Sequence, residues 1–185
     1  MRNRAHRGET KEQRLKRLQE GAPLEAIGTL LNSISNYFNN EIRLTSANFQ
    51  SSLLFLGIHA SALTIAEVFF GTKGPEGYRR FLQTFVDGPT TDTQFSLIAE
   101  FIHDWRNVLA HQWIGSIGHR IQYDYDMELG WEKREDAIAI NPRIYCEKYL
   151  GAFSANGRIW DYRKIFSESE LQQAKQRIIY KYRAK

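Results

Sequence analysis

Residues 53–70 read LLFLGIHASALTIAEVFF, the most apolar stretch of the chain. Built as a helix from about Ala47 to Phe70, it is apolar on more than one side, through Leu53, Leu54, Leu56, Ile58, Leu63, Ile65, Val68 and Phe69. Such a helix belongs at the centre of a bundle, with other helices around it. Gly57, His59, Ser61, Thr64 and Glu67 interrupt the run, which argues against a membrane span.

Working outward, the flanking segments supply the helices that would cover it. Upstream, Leu24, Ile27, Leu30, Leu31, Ile34, Tyr37 and Phe38 recur every three or four residues from Pro23, one face of an amphipathic helix. Downstream, Pro75 opens a short helix carrying Tyr78, Phe81, Leu82 and Phe85, closed by Asp87-Gly88-Pro89. Thr90 to Asp92 offers an N-cap for a helix from Thr93 to about Trp113, striped by Phe95, Ile98, Ile102, Trp105, Leu109 and Trp113. Period-2 alternation over Ile121–Met127, a Leu129-Gly130 turn and a return from Trp131 to Ile140 predict a β-hairpin. Asn141-Pro142 then starts a helix to Phe153, and Ser167 to Glu170 is a capping box opening a basic terminal helix. The fold class expected is mainly α: a bundle with about four or five core helices and a late inserted β-hairpin.

Composition sets the limits. With 42% apolar and 13% aromatic residues in 185, the chain can fill a single core, so global disorder is excluded. Cys146 is alone, which excludes an intramolecular disulfide and a Cys-based zinc site. No apolar segment follows the basic first residues, so a cytoplasmic protein without membrane contact is expected. The charge is unevenly spread. Residues 1–20, a basic tail or frayed helix, hold seven Lys/Arg against three Glu, and residues 163–185 hold seven against two. The body, residues 21–166, carries the bundle and the hairpin at about 120–140; residues 167–185 form a basic helix packed on it or extending from it. Basic ends suit a phosphate backbone, and ordinary solvated termini look the same.

The residues able to carry chemistry gather in His103-Asp104-Trp105-Arg106-Asn107-Val108-Leu109-Ala110-His111. With the apolar stripe of that helix at 0°, Arg106 lies at roughly 60°, His103 at roughly 120° and Asn107 at roughly 160°. Glu100 and His111 follow at roughly 180° and 200°. Asn107 and His111 are therefore neighbours, and Asn107 would orient the imidazole. A guanidinium and an imidazole aimed at one anion suit phosphodiester chemistry: imidazole moves the proton and guanidinium holds the developing charge. The competing reading is a solvated helix face, with Arg106 paired to an acid such as Glu67.

The string Arg106-Asn107-Val108-Leu109-Ala110-His111, late in the last long helix of a bundle, resembles the signature of the HEPN superfamily. The resemblance covers that motif and the bundle architecture across roughly residues 24–165. It implies a metal-independent endoribonuclease without cofactor, a homodimer whose two signature helices line one cleft, with RNA as substrate. In this likeness Arg106 contacts the scissile phosphate, His111 is the acid/base for attack by the ribose 2′-OH, and Asn107 supports them. A toxin or phage-defence role, with an antitoxin or regulatory protein as partner, is also implied. The alternative it allows is a non-catalytic dimeric bundle binding a protein or a nucleotide. Two positions depart from the pattern. Trp113 stands where a nucleotide-accepting tyrosine is found in some of these toxins, and Phe101 where some of these nucleases carry an acid. Glu100, Asp104 and His103 are therefore supporting candidates only.

Other candidates carry less. Asp124, Asp126 and Glu128 could ligate a divalent cation, although the wet side of a hairpin reads the same way. His59 reads as a hydrogen-bonded core histidine and Cys146 as buried packing. No metal site is expected. No GxGxxG, Walker, HExxH or GxSxG string occurs.

Overall fold

The computed structural model describes residues 8–43, 51–88, 94–112 and 121–183, with the side chains of Ser51 and of residues 110–112 outside that description. The expected mainly α fold is what it shows: helices packed round a central apolar one, with a small sheet late in the chain.

The first helix, α1 (Lys11–Glu20), is opened by a capping box. The Thr10 hydroxyl accepts the Gln13 N–H and the Gln13 side chain accepts that of Thr10. Leu18 is buried, and the Lys175 ammonium donates to the carbonyls of Gln19 and Gly21, at 2.8 and 2.6 Å. So residues 11–20, expected as a tail or frayed helix, form a docked helix. Proline opens α2 (Pro23–Tyr37), which buries Ala26, Ile27 and Leu31 and widens into a π turn over Phe38–Ile42. The central helix is α3 (Ser51–Phe70). By length and composition alone it could cross a membrane. Instead Leu54, Phe55, Ile58, Ala62, Ile65, Ala66 and Phe69 are covered by the other helices, the packing of a core helix in a bundle.

After α4 (Gly74–Phe81) and a second π turn (Leu82–Val86) comes α5 (Ala99–Gln112), entered through a 3₁₀ turn at Phe95–Ile98. Its N-cap was expected within Thr90–Asp92, residues that lie outside those described. The anchor in the structure is the buried Asp87, whose carboxylate accepts the N–H groups of Phe95 and Ser96, both at 2.9 Å. Two otherwise orphaned donors are satisfied by a side chain eight and nine residues upstream of them.

The sheet differs from the expectation in its pairing. The hairpin is formed by β2 (Trp131–Arg134) and β3 (Ala137–Ile140), antiparallel, with Arg134 opposite Ala137. Its turn is therefore at Glu135-Asp136, not Leu129-Gly130. Only Ile121–Tyr123 of the alternating stretch is a strand, β1, and it lies parallel to β3 on the far edge. The cause is local. The Asp124 carboxylate accepts the Asp126 N–H and ends the strand. The Asn141 amide then holds the carbonyls of Tyr125 and Met127, at 3.2 and 2.7 Å.

The same Asn141 caps α6 (Pro142–Ala152) by accepting the N–H groups of Arg143 and Ile144. A short α7 (Tyr162–Ile165) leads to α8 (Glu168–Arg183), opened by reciprocal Ser167–Glu170 hydrogen bonds. Leu171, Ala174, Ile178 and Ile179 are buried, so the basic C-terminal helix is packed on the bundle.

Candidate functional site

The apolar stripe of α5 turns Ile102 and Leu109 into the core and leaves Trp105 half-buried, where its indole N–H donates to the Tyr123 hydroxyl at 2.9 Å. Tyr123 in turn stacks on Phe55 of α3, with ring centroids 5.4 Å apart. The sheet thus pins the C-terminal half of α5 against α3, and this fixes the next residue, Arg106.

Arg106 lies at the edge of the core and is half-buried, where its helical position puts it. One terminal nitrogen donates to the Asn107 side-chain oxygen at 2.8 Å, while Nε is buried without a partner. Glu67 does not pair with it: that carboxylate holds Lys181 at 2.5 Å and Lys73 at 3.3 Å. Among the described residues no carboxylate lies in ion-pair range of Arg106. A guanidinium held by a neutral amide keeps its full charge for a ligand.

Beside it stand two imidazoles. His103 Nδ1 and His59 Nε2 are 3.0 Å apart, joining α5 to α3. His59 is fully buried, with its ring 4.4 Å from that of Tyr78, and its Nδ1 has no partner. Burial, with His103 and the Arg106 charge adding to it, pushes the His59 pKa down to about 3. Burial and Arg106 also hold His103 below the ordinary histidine value, against an opposing pull from Asp104. Both rings are therefore neutral at neutral pH and share one hydrogen bond. An orphaned buried N–H is rarer than an orphaned acceptor, so the His59 proton belongs on Nε2. That assignment makes His103 Nδ1 the acceptor and puts the His103 proton on its other nitrogen, a second donor near Arg106.

The described structure brings Arg106, Asn107 and His103 together and adds His59. The Asn107 oxygen accepts from Arg106; the expected orientation of His111 by Asn107 falls on a side chain outside the described residues. Glu100 is exposed and lies 3.8 Å from Arg79 of α4, and Asp104 is exposed. The backbone of His111 continues α5 one turn past Asn107, but its side chain, like the whole of Trp113, lies outside the described residues. The His59–His103 contact spans 44 residues of sequence, so no spacing rule links the two. The only signal was a polar residue in the most apolar helix. Asp124 is taken up by Arg134 at 2.5 Å, and among the described residues no three of His, Cys, Asp and Glu group as metal ligands.

The His59 environment makes stability acid-sensitive. The unfolded chain protonates this histidine near its ordinary pKa of about 6.5, and the folded chain does so only near 3. Stability is complete above about 6.5 and is lost as pH falls from there. Between pH 7 and pH 5 one such histidine removes about 2 kcal/mol. Urea unfolding across that range should show the loss in wild type and a smaller loss in His59→Gln. Equal slopes in the two would contradict the assignment.

Comparison of the chain with protein-family models, with curated proteins and with solved structures returned no match.

Proposed function

We propose that the chain is a metal-independent endoribonuclease of HEPN type that acts as a homodimer. The observation carrying this reading is Arg106. It is a half-buried guanidinium without an acidic partner among the described residues, held by its neighbour Asn107 one helical turn before His111. An arginine kept only for structure would be expected to have found a carboxylate at such a depth.

In the reaction, His111 takes the proton of the ribose 2′-OH as its oxygen bonds to phosphorus. Arg106 carries the growing charge on the phosphoryl oxygens, with the His103 N–H as a second donor. The bond from phosphorus to the 5′ oxygen breaks, and that oxygen gains a proton from an imidazolium. The products are a 2′,3′-cyclic phosphate and a 5′-hydroxyl. Leu97, in the turn that enters α5, and Phe101, in its first turn, are 67% and 43% exposed and form an apolar strip. A second copy covering that strip gives the dimer its interface. A toxin or defence effector with a neutralising protein partner is the cellular role in keeping with this chemistry. A non-catalytic bundle would use the same strip for a partner and turn over nothing.

The test is a pair of oligonucleotides of one sequence, all-ribose and all-deoxy. The ribose strand is cut, leaving cyclic or 3′-phosphate ends, and the deoxy strand stays intact. Cleavage of both at similar rates would overturn the 2′-OH mechanism.

A further inference from the structure

At the far end of α3, its last turn, the following loop and the last two turns of α8 enclose a cleft of about 470 Å³. Tyr180 stands at the cleft and is 73% exposed, the most exposed large apolar side chain among the described residues. Around it are Lys73, Arg177 and Arg183, with Lys181 alongside. The one acid among the described residues of the cleft, Glu67, is already shared by Lys73 and Lys181, so the described cluster keeps a net positive charge. Arg177 forms part of the wall. Its guanidinium donates to the carbonyls of Val68 and Phe69, at 2.9 and 3.2 Å, and so closes the end of α3. Gly71 permits this: its φ is +70°, and a Cβ there would sit 2.9 Å from the Arg177 guanidinium.

We infer that this cleft binds single-stranded RNA, the Tyr180 ring stacking on a base while Lys73 and Arg183 hold the flanking phosphates. A flat aromatic ring left in water among cations is the pairing that sequence-tolerant strand binding uses. An acidic peptide would engage the cations but leave the ring without a role. A lipid surface would need an apolar rim, and Ile179, the aliphatic residue of this wall, is buried. The cleft is separate from the Arg106 site. His103 meets α3 at His59, and the end of α3 at Phe70 lies eleven residues further on, about 16 Å along the helix. It therefore retains a strand that is cut elsewhere. That use rests on the nuclease reading; the binding does not.

The experiment is fluorescence anisotropy of the full chain with a labelled 2′-O-methyl oligoadenylate, which cannot be cleaved through a 2′-OH. Tyr180→Ala should weaken binding about tenfold and Tyr180→Phe should leave it within about twofold. Lys73→Ala with Arg183→Ala should also weaken it and flatten the salt slope by roughly 1.4. Arg106→Ala should lower the affinity by less than Tyr180→Ala does. Affinity unchanged in Tyr180→Ala, or lost only with Arg106→Ala, would overturn the proposal. So would equal displacement of the oligonucleotide by polyglutamate or by phosphatidylserine vesicles, since either would make the cleft a general anion site. Because nothing is cleaved in this assay, a failed nuclease reading leaves its outcome intact.

Discussion

Replacing His111 by alanine is expected to lower the rate of RNA cleavage by about 10²–10⁴-fold, the range for loss of a general acid/base. Neither of the two described imidazoles beside Arg106 can stand in for it. His59 is fully buried and hard to protonate, and His103 is committed to it through Nδ1. The loss should fall on kcat, because in the proposed mechanism His111 acts on a proton that moves in the transition state. Binding of an uncleavable RNA should change little in the same variant.

Replacing Arg106 by alanine is expected to cost roughly 10²–10³-fold, since the proposed mechanism has it as the cation that holds the developing phosphorane charge. Lysine should recover only part of this, because its point charge cannot reproduce the fork that bridges Asn107 and a phosphate. A second readout separates this role from a packing one. Arg106 holds down the pKa of both His59 and His103, so both should rise in Arg106→Ala. Histidine chemical shifts followed against pH would report the rise. Unchanged titrations would mean that the guanidinium does not sit beside the pair.

What could be read from the sequence was what local rules govern. The α2 stripe, the Asn141 cap and the Ser167–Glu170 box depend on residues a few positions apart, and each stands where its pattern put it. The sheet was harder. Alternation showed that Ile121–Met127 was extended, but a parallel partner is chosen by the course of the whole chain, and the Asp124 turn cuts the strand short. The two π turns were illegible, because each adds a residue to one turn while keeping Phe38, Ile42, Phe85 and Val86 in the core. The start of α5 escaped notice for the same reason as the histidine pair: Asp87 and His59 act across helices. In the site itself, the edge position of Arg106 came from helix geometry alone. That no described carboxylate reaches it did not, because ion-pair partners are chosen between helices.

The most direct test is cleavage of a mixed structured and single-stranded RNA pool in excess EDTA, with wild type, His111→Ala and Arg106→Ala run together at matched concentration. The account predicts cutting by wild type alone, leaving cyclic or 3′-phosphate ends. Equal cutting by all three proteins would place the activity outside Arg106 and His111 and contradict it.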